Sequence, residues 1–130
     1  MEDWKTKLSV LWLLSAVSGV SFLVLALFEP GAIEQVMAGE IGGIKITPEL
    51  MLLFTIVFLA PLVMAFLSQT LNDKANRWTN IIVGAVFIII PIIPLISTLE
   101  NQSVVAINPA FGSVCGALIV WYAWKSKQKA

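Results

Sequence analysis

The side chains of this chain best suited to chemistry are carboxylates. Glu29, Glu34, Glu40, Glu49 and Glu100 lie at or between the ends of long stretches that carry no charge. A carboxylate so placed can bind a cation, orient a polar ligand or exchange a proton, given a partner in a shielded site. The sequence withholds most such partners. It has no histidine, and Cys115 is its single cysteine, so metal sites built on those ligands, intrachain disulfides and two-thiol redox centres are excluded. Serines occur without a histidine base, and no acid falls inside an apolar stretch. No enzymatic activity, metal or cofactor is therefore expected. Glu49 has an ordinary explanation beside any ligand role: Thr47-Pro48-Glu49 offers a capping hydroxyl, a proline at the first helical position and an acid near the positive end of the dipole.

The elements that must position these residues are four apolar stretches, Leu8 to Phe28, Leu50 to Leu71, Trp78 to Leu99 and Val104 to Trp124, each of 21 or 22 residues. As helices they are roughly 30 Å long, the thickness of a bilayer's hydrocarbon core. The expected fold is all-α: an integral membrane four-helix bundle of up-down topology, with a long extracytoplasmic loop between helices 1 and 2. The chain, 130 residues and 58% hydrophobic, has room for one such domain, 1–130, and no soluble domain beside it. Zero net charge gives no electrostatic case for nucleic acid. Span 1 follows Lys5 and Lys7 as a signal peptide would, but it is longer than a typical apolar signal core and Phe28-Glu29-Pro30 lacks the small residues of a cleavage site.

Seven of the eight basic residues flank one side of these spans: Lys5, Lys7, Lys74, Arg77, Lys125, Lys127 and Lys129, against Lys45. The positive-inside rule then places both termini in the cytoplasm of a multi-pass cell-membrane protein. Trp4, Trp12, Trp78, Trp121 and Trp124 map to the same side and read as its aromatic belt.

Backbone irregularity gathers on the opposite side. Pro30 through Ala38 predicts a short helix ended by Gly39, and Gly42-Gly43 a turn before an extended Ile44-Lys45-Ile46 with no evident partner strand. Pro61 bends span 2. Pro91 and Pro94 kink span 3 or end its regular part near Ile90. Span 4 starts either at Val104 or at Asn108-Pro109. At the short turn 72–76, Asn76 or Asp73 caps span 3, and Asn80 and Gly84 share one of its faces. Small residues mark close-packing faces at Ser15, Ser18 and Gly19 on span 1 and at Gly112 and Gly116 on span 4, for internal packing or for self-association into a homo-oligomer.

Three segments carry a resemblance: Glu34-Gln35-Val36-Met37-Ala38-Gly39 with Ile46-Thr47-Pro48-Glu49-Leu50, Asn76-Arg77-Trp78-Thr79-Asn80-Ile81-Ile82, and Trp121-Tyr122-Ala123-Trp124. Over nearly the full chain they resemble a family of small prokaryotic four-span proteins of unknown function, itself distantly similar to the DoxX-like four-helix membrane proteins. The resemblance implies the architecture and no activity.

Two functional readings follow. In the first, kinked helices leave an outward-facing apolar pocket for a lipid or small hydrophobic molecule, with Glu49, Pro91, Pro94, Glu100 and Asn108 near its mouth. In the second, the chain is an assembly or interaction subunit that docks through Ser15, Gly19, Gly112 and Gly116, with a lipid-exposed groove at the last two. A small oligomeric transporter is a weaker third, since the spans lack charge.

Overall fold

The computed structural model describes residues 3–100 and 106–126 and is mostly helical. In chain order it comprises α1 (Asp3–Ala26), α2 (Ala32–Met37), β1 (Glu40–Ile41), β2 (Ile44–Lys45), α3 (Pro48–Thr70), α4 (Asp73–Ile89), α5 (Ile92–Glu100) and α6 (Ile107–Lys125). Four helical segments, 4–26, 48–70, 73–96 and 107–125, are long and apolar enough to cross a membrane.

Local chemistry sets the helix ends. The Thr47 hydroxyl accepts from the Leu50 amide at 3.2 Å and Pro48 takes the first helical position, as the sequence predicts. Pro61 lies buried within α3 without ending it. At α4 the cap is Asn72, whose side chain accepts from the Ala75 amide at 3.0 Å, and neither Asn76 nor Asp73. The helix starts at Asp73, with its cap ahead of either expected one, and Asn76 lies buried within it. The prolines divide span 3 as anticipated: α4 ends at Ile89, and α5 resumes at Ile92 with the Leu95 amide donating to the Pro91 carbonyl at 3.0 Å.

Span 4 begins at Ile107 with Ala106 as its cap, close to the later of the two expected starts; Val104 lies outside the described residues. Asn108 is then the second helical residue rather than the cap. Pro109 sits in the first turn, where its missing N–H has no intrahelical acceptor to serve.

The segment between α1 and α3 departs from expectation twice. Its helix starts at Ala32, after a Gly31 cap at φ +84°, so Pro30 precedes it. A partner strand does exist. Glu40 pairs with Lys45 and Ile41 with Ile44 across Gly42-Gly43, both at positive φ, the type I′ geometry that two glycines adopt without a steric penalty.

Packing is uneven. Helix α6 packs along α1 and α4, and α1 along α3, whereas α3 and α4, joined by only Leu71 and Asn72, approach each other little. Partnered residues run in opposite order along each packed pair: Ser9 with Ala65 and Gly19 with Phe58, Lys7 with Tyr122 and Ser18 with Asn108, and Arg77 with Trp124 and Gly112 with Pro91. The core, Leu8, Leu11, Trp12, Met64, Ala65, Phe87, Ile119 and Ala123, sits toward the end that holds the start of α1 and the end of α6. No residue from 48 to 60 on α3, and none after Ser18 on α1, is fully buried.

Candidate functional site

The bundle has a half closed around a buried polar network and a half in which α1 and α3 bury no residue. In the closed half, Asn80 is the hub. Its Oδ1 accepts from Trp12 Nε1 at 2.7 Å and has Ser68 Oγ 3.2 Å away, that hydroxyl donating to the Met64 carbonyl at 2.7 Å, and its Nδ2 donates to the Asn76 carbonyl at 2.8 Å and to Asn76 Oδ1 at 2.6 Å. Asn76 Nδ2 in turn donates to the Ser68 carbonyl at 2.7 Å. All four side chains are fully buried. The oxygen and both protons of the Asn80 amide are thereby paired, which offsets much of the cost of burying it in an apolar interior. Asn76 and Asn80 stand one helical turn apart, and Ser68 faces them from α3 because the connecting loop is so short. Trp12 comes from α1, so three helices are tied at one level. This corrects the aromatic-belt reading for Trp12, which lies inside the bundle with its ring edge-on to Phe87 at 5.4 Å.

The other half begins where this network stops. Gly19 on α1 lets Phe58 of α3 approach, since a Cβ there would lie 3.3 Å from the Phe58 ring, and Phe58 meets Phe54 edge-on at 6.3 Å. Ser18 Oγ donates to the Asn108 carbonyl at 3.0 Å, fixing the start of α6 against α1. Asn108 Nδ2 is itself buried and has no hydrogen-bond partner among the described residues. Such a donor costs about 1–3 kcal/mol when left unpaired.

The expected mouth residues divide. Pro91 sits against α6, at 3.4 Å from where a Gly112 Cβ would be, and Asn108 is one turn away on the same helix. Pro94 lies half-buried in the first turn of α5, which also packs on α6. Glu49 and Glu100 are exposed, at the first turn of α3 and the end of α5. The groove expected at Gly112 and Gly116 is not there. Both glycines are buried, the second so tightly that a Cβ would lie 3.0 Å from the Ile88 backbone nitrogen. Ser113 Oγ, between them, donates to the Ile88 carbonyl at 3.2 Å beside the helix break. Ser15 is half-buried on α1.

Ser68, Phe54, Phe58 and the buried role of Trp12 escape sequence reasoning. A serine or tryptophan in an apolar run does not reveal which side it faces until the neighbouring helix is known. The signal that was present is the Asn76–Asn80 spacing.

The whole chain, residues 1–130, matches the model of a family of unknown function, DUF6326, and belongs to that family. No curated protein and no solved structure matches it.

Proposed function

We propose that the chain is a non-enzymatic, single-domain membrane protein whose looser half holds a lipid or small hydrophobic molecule bearing one oxygen acceptor. The observation that carries this reading is the buried Asn108 Nδ2 without a partner among the described residues, in the half where α1 and α3 bury no residue fully. Apolar pockets with a few placed polar groups are the usual form of small-molecule sites. A ligand carbonyl, ether or hydroxyl oxygen satisfies the amide, while Phe54 and Phe58 offer apolar contact to its body. Pro91 and Pro94 flank Asn108 on the α5 side; Glu49 and Glu100 belong to the surrounding rim.

In this reading the helices run up and down through the cell membrane, the basic flanks keep both termini cytoplasmic, and the α2 and hairpin segment forms an extracytoplasmic loop. The pocket then opens outward. The four-span layout is of the DoxX-like kind and the origin prokaryotic. Bilayer lipids are its surroundings and its source of ligand. Native mass spectrometry from gentle detergent tests the reading: wild-type protein retains a small hydrophobic adduct and Asn108→Ala does not. A wild-type chain free of any adduct after mild extraction contradicts it.

A further inference from the structure

A second site lies at the opposite end of the bundle. Lys5, Lys7, Arg77 and Lys125 each stand over an aromatic ring: Lys5 over Trp4 at 5.7 Å, Lys7 over Tyr122 at 5.3 Å, Lys125 over Trp121 at 5.6 Å. Arg77 differs from the rest. Its guanidinium lies between two rings on different helices, 5.2 Å from Trp78 and 5.4 Å from Trp124. Lys5 has a carboxylate, Asp73, at 2.7 Å. Arg77 has none within ion-pairing distance among the described residues, and its buried Nε finds no acceptor.

A half-buried guanidinium that has no anion, and whose Nε has no acceptor, among the described residues is held against aromatic faces that supply only part of what water would. Trp78 and Trp124 keep about half of their surface outside the protein, at the helix ends where tryptophans meet lipid headgroups. Lys125 follows Trp124 directly and adds a second cation.

We infer that Arg77, flanked by Trp78 and Trp124, binds the phosphodiester of an anionic phospholipid. The planar fork grips two phosphate oxygens, the indoles border the glycerol and upper acyl chains, and Lys125 contributes long-range attraction. A lipid source is favoured over free phosphate because the cation is set among exposed apolar rings rather than in a polar cup. The inference needs only the membrane placement of the helices and is independent of the Asn108 pocket.

The test uses full-length protein in detergent with phosphatidylglycerol and phosphatidylcholine of matched chains, read by native mass spectrometry. Wild type retains phosphatidylglycerol about fivefold more than phosphatidylcholine, the effect of about one well-placed charge. Arg77→Gln brings the ratio near one, and Arg77→Lys, which keeps the charge and is the safer variant for folding, lowers it part of the way. Lys74→Gln leaves it unchanged. Equal retention of the two lipids by wild type overturns the inference. So does a loss in Lys74→Gln as large as in Arg77→Gln, which means diffuse attraction, or displacement of the lipid by millimolar inorganic phosphate, which means an anion site without lipid.

Discussion

Trp12 Nε1 reaches Asn80 Oδ1 at 2.7 Å across a bundle in which the backbones of α1 and α4 hardly approach each other. The bond joins the first and third spans through one long side chain. It closes a network in which the Asn80 oxygen and both its amide protons are paired, and it marks the floor below which the bundle is tightly packed.

Replacing Asn80 by Ala leaves Trp12 Nε1 and the Asn76 side-chain oxygen without their partner, and opens a small void. The expected loss is about 2 kcal/mol of unfolding free energy in detergent, more than a typical interhelical bond alone because buried groups are left unpaired. Trp12→Phe removes one donor, and the Ser68 hydroxyl, 3.2 Å from the Asn80 oxygen, can turn to it from the Met64 carbonyl, so it costs less. Denaturant titrations of both variants check the order; equal effects contradict the hub role of Asn80.

The glycines of the α4–α6 contact are not equivalent. A Cβ at Gly116 meets backbone atoms of Ile88 and Phe87 at 3.0 and 3.1 Å, which cannot yield, whereas at Gly84 it meets the Cγ2 methyls of Ile119 and Val120 at 3.0 Å, side-chain groups that are stiff but not backbone. Gly116→Ala is expected to cost about 2 kcal/mol by overpacking and Gly84→Ala somewhat less. Gly112→Ala, at 3.4 Å from Pro91, is the mildest. Thermal unfolding of the three single variants ranks them.

Gly42 and Gly43 hold φ values of +57° and +80°, so alanine at either is strained by about 1–2 kcal/mol. The hairpin is exposed, and the strain should therefore act locally. Hydrogen exchange of the Ile46 amide, bonded to the Gly39 carbonyl at 2.8 Å, is expected to speed up several-fold in Gly43→Ala with the global melting point unchanged. Gly43→Asn, which tolerates positive φ, is expected to exchange more slowly than Gly43→Ala.

What the sequence made legible was whatever depends on chemistry local to the chain. Charge-free runs gave the four long helices, Thr47-Pro48 gave the start of α3, and Pro91 and Pro94 gave the break in span 3. Facing was harder to read. Trp12 looked like a belt residue because its position along the span allows either role, and only the neighbouring α4 decides. Asn72 rather than Asn76 became the cap because several asparagines and an aspartate compete within five residues, and tertiary burial of Asn76 selected among them. The strand Glu40–Ile41 escaped notice since two residues carry no periodicity. Of the site, Asn108 was singled out for its proline neighbour, while its unpaired amide is a product of packing.

Removing the Asn108 amide separates stability from binding. Asn108→Ala eliminates a buried unpaired donor, so the ligand-free protein is expected to be as stable as wild type or more so by about 1 kcal/mol. Stabilisation by added ligand is expected to be lost in the same variant. Melting curves with and without a long-chain alcohol give both quantities.

The most direct test of the central claim is to map where a hydrophobic ligand sits. A diazirine-bearing long-chain alcohol, photolysed with the protein in nanodiscs, is predicted to label saturably around Phe54, Phe58 and Asn108, with the signal competed by unlabelled alcohol and lost in Asn108→Ala. Unsaturable labelling spread evenly over the lipid-facing residues of all four spans, and unchanged by the substitution, contradicts it.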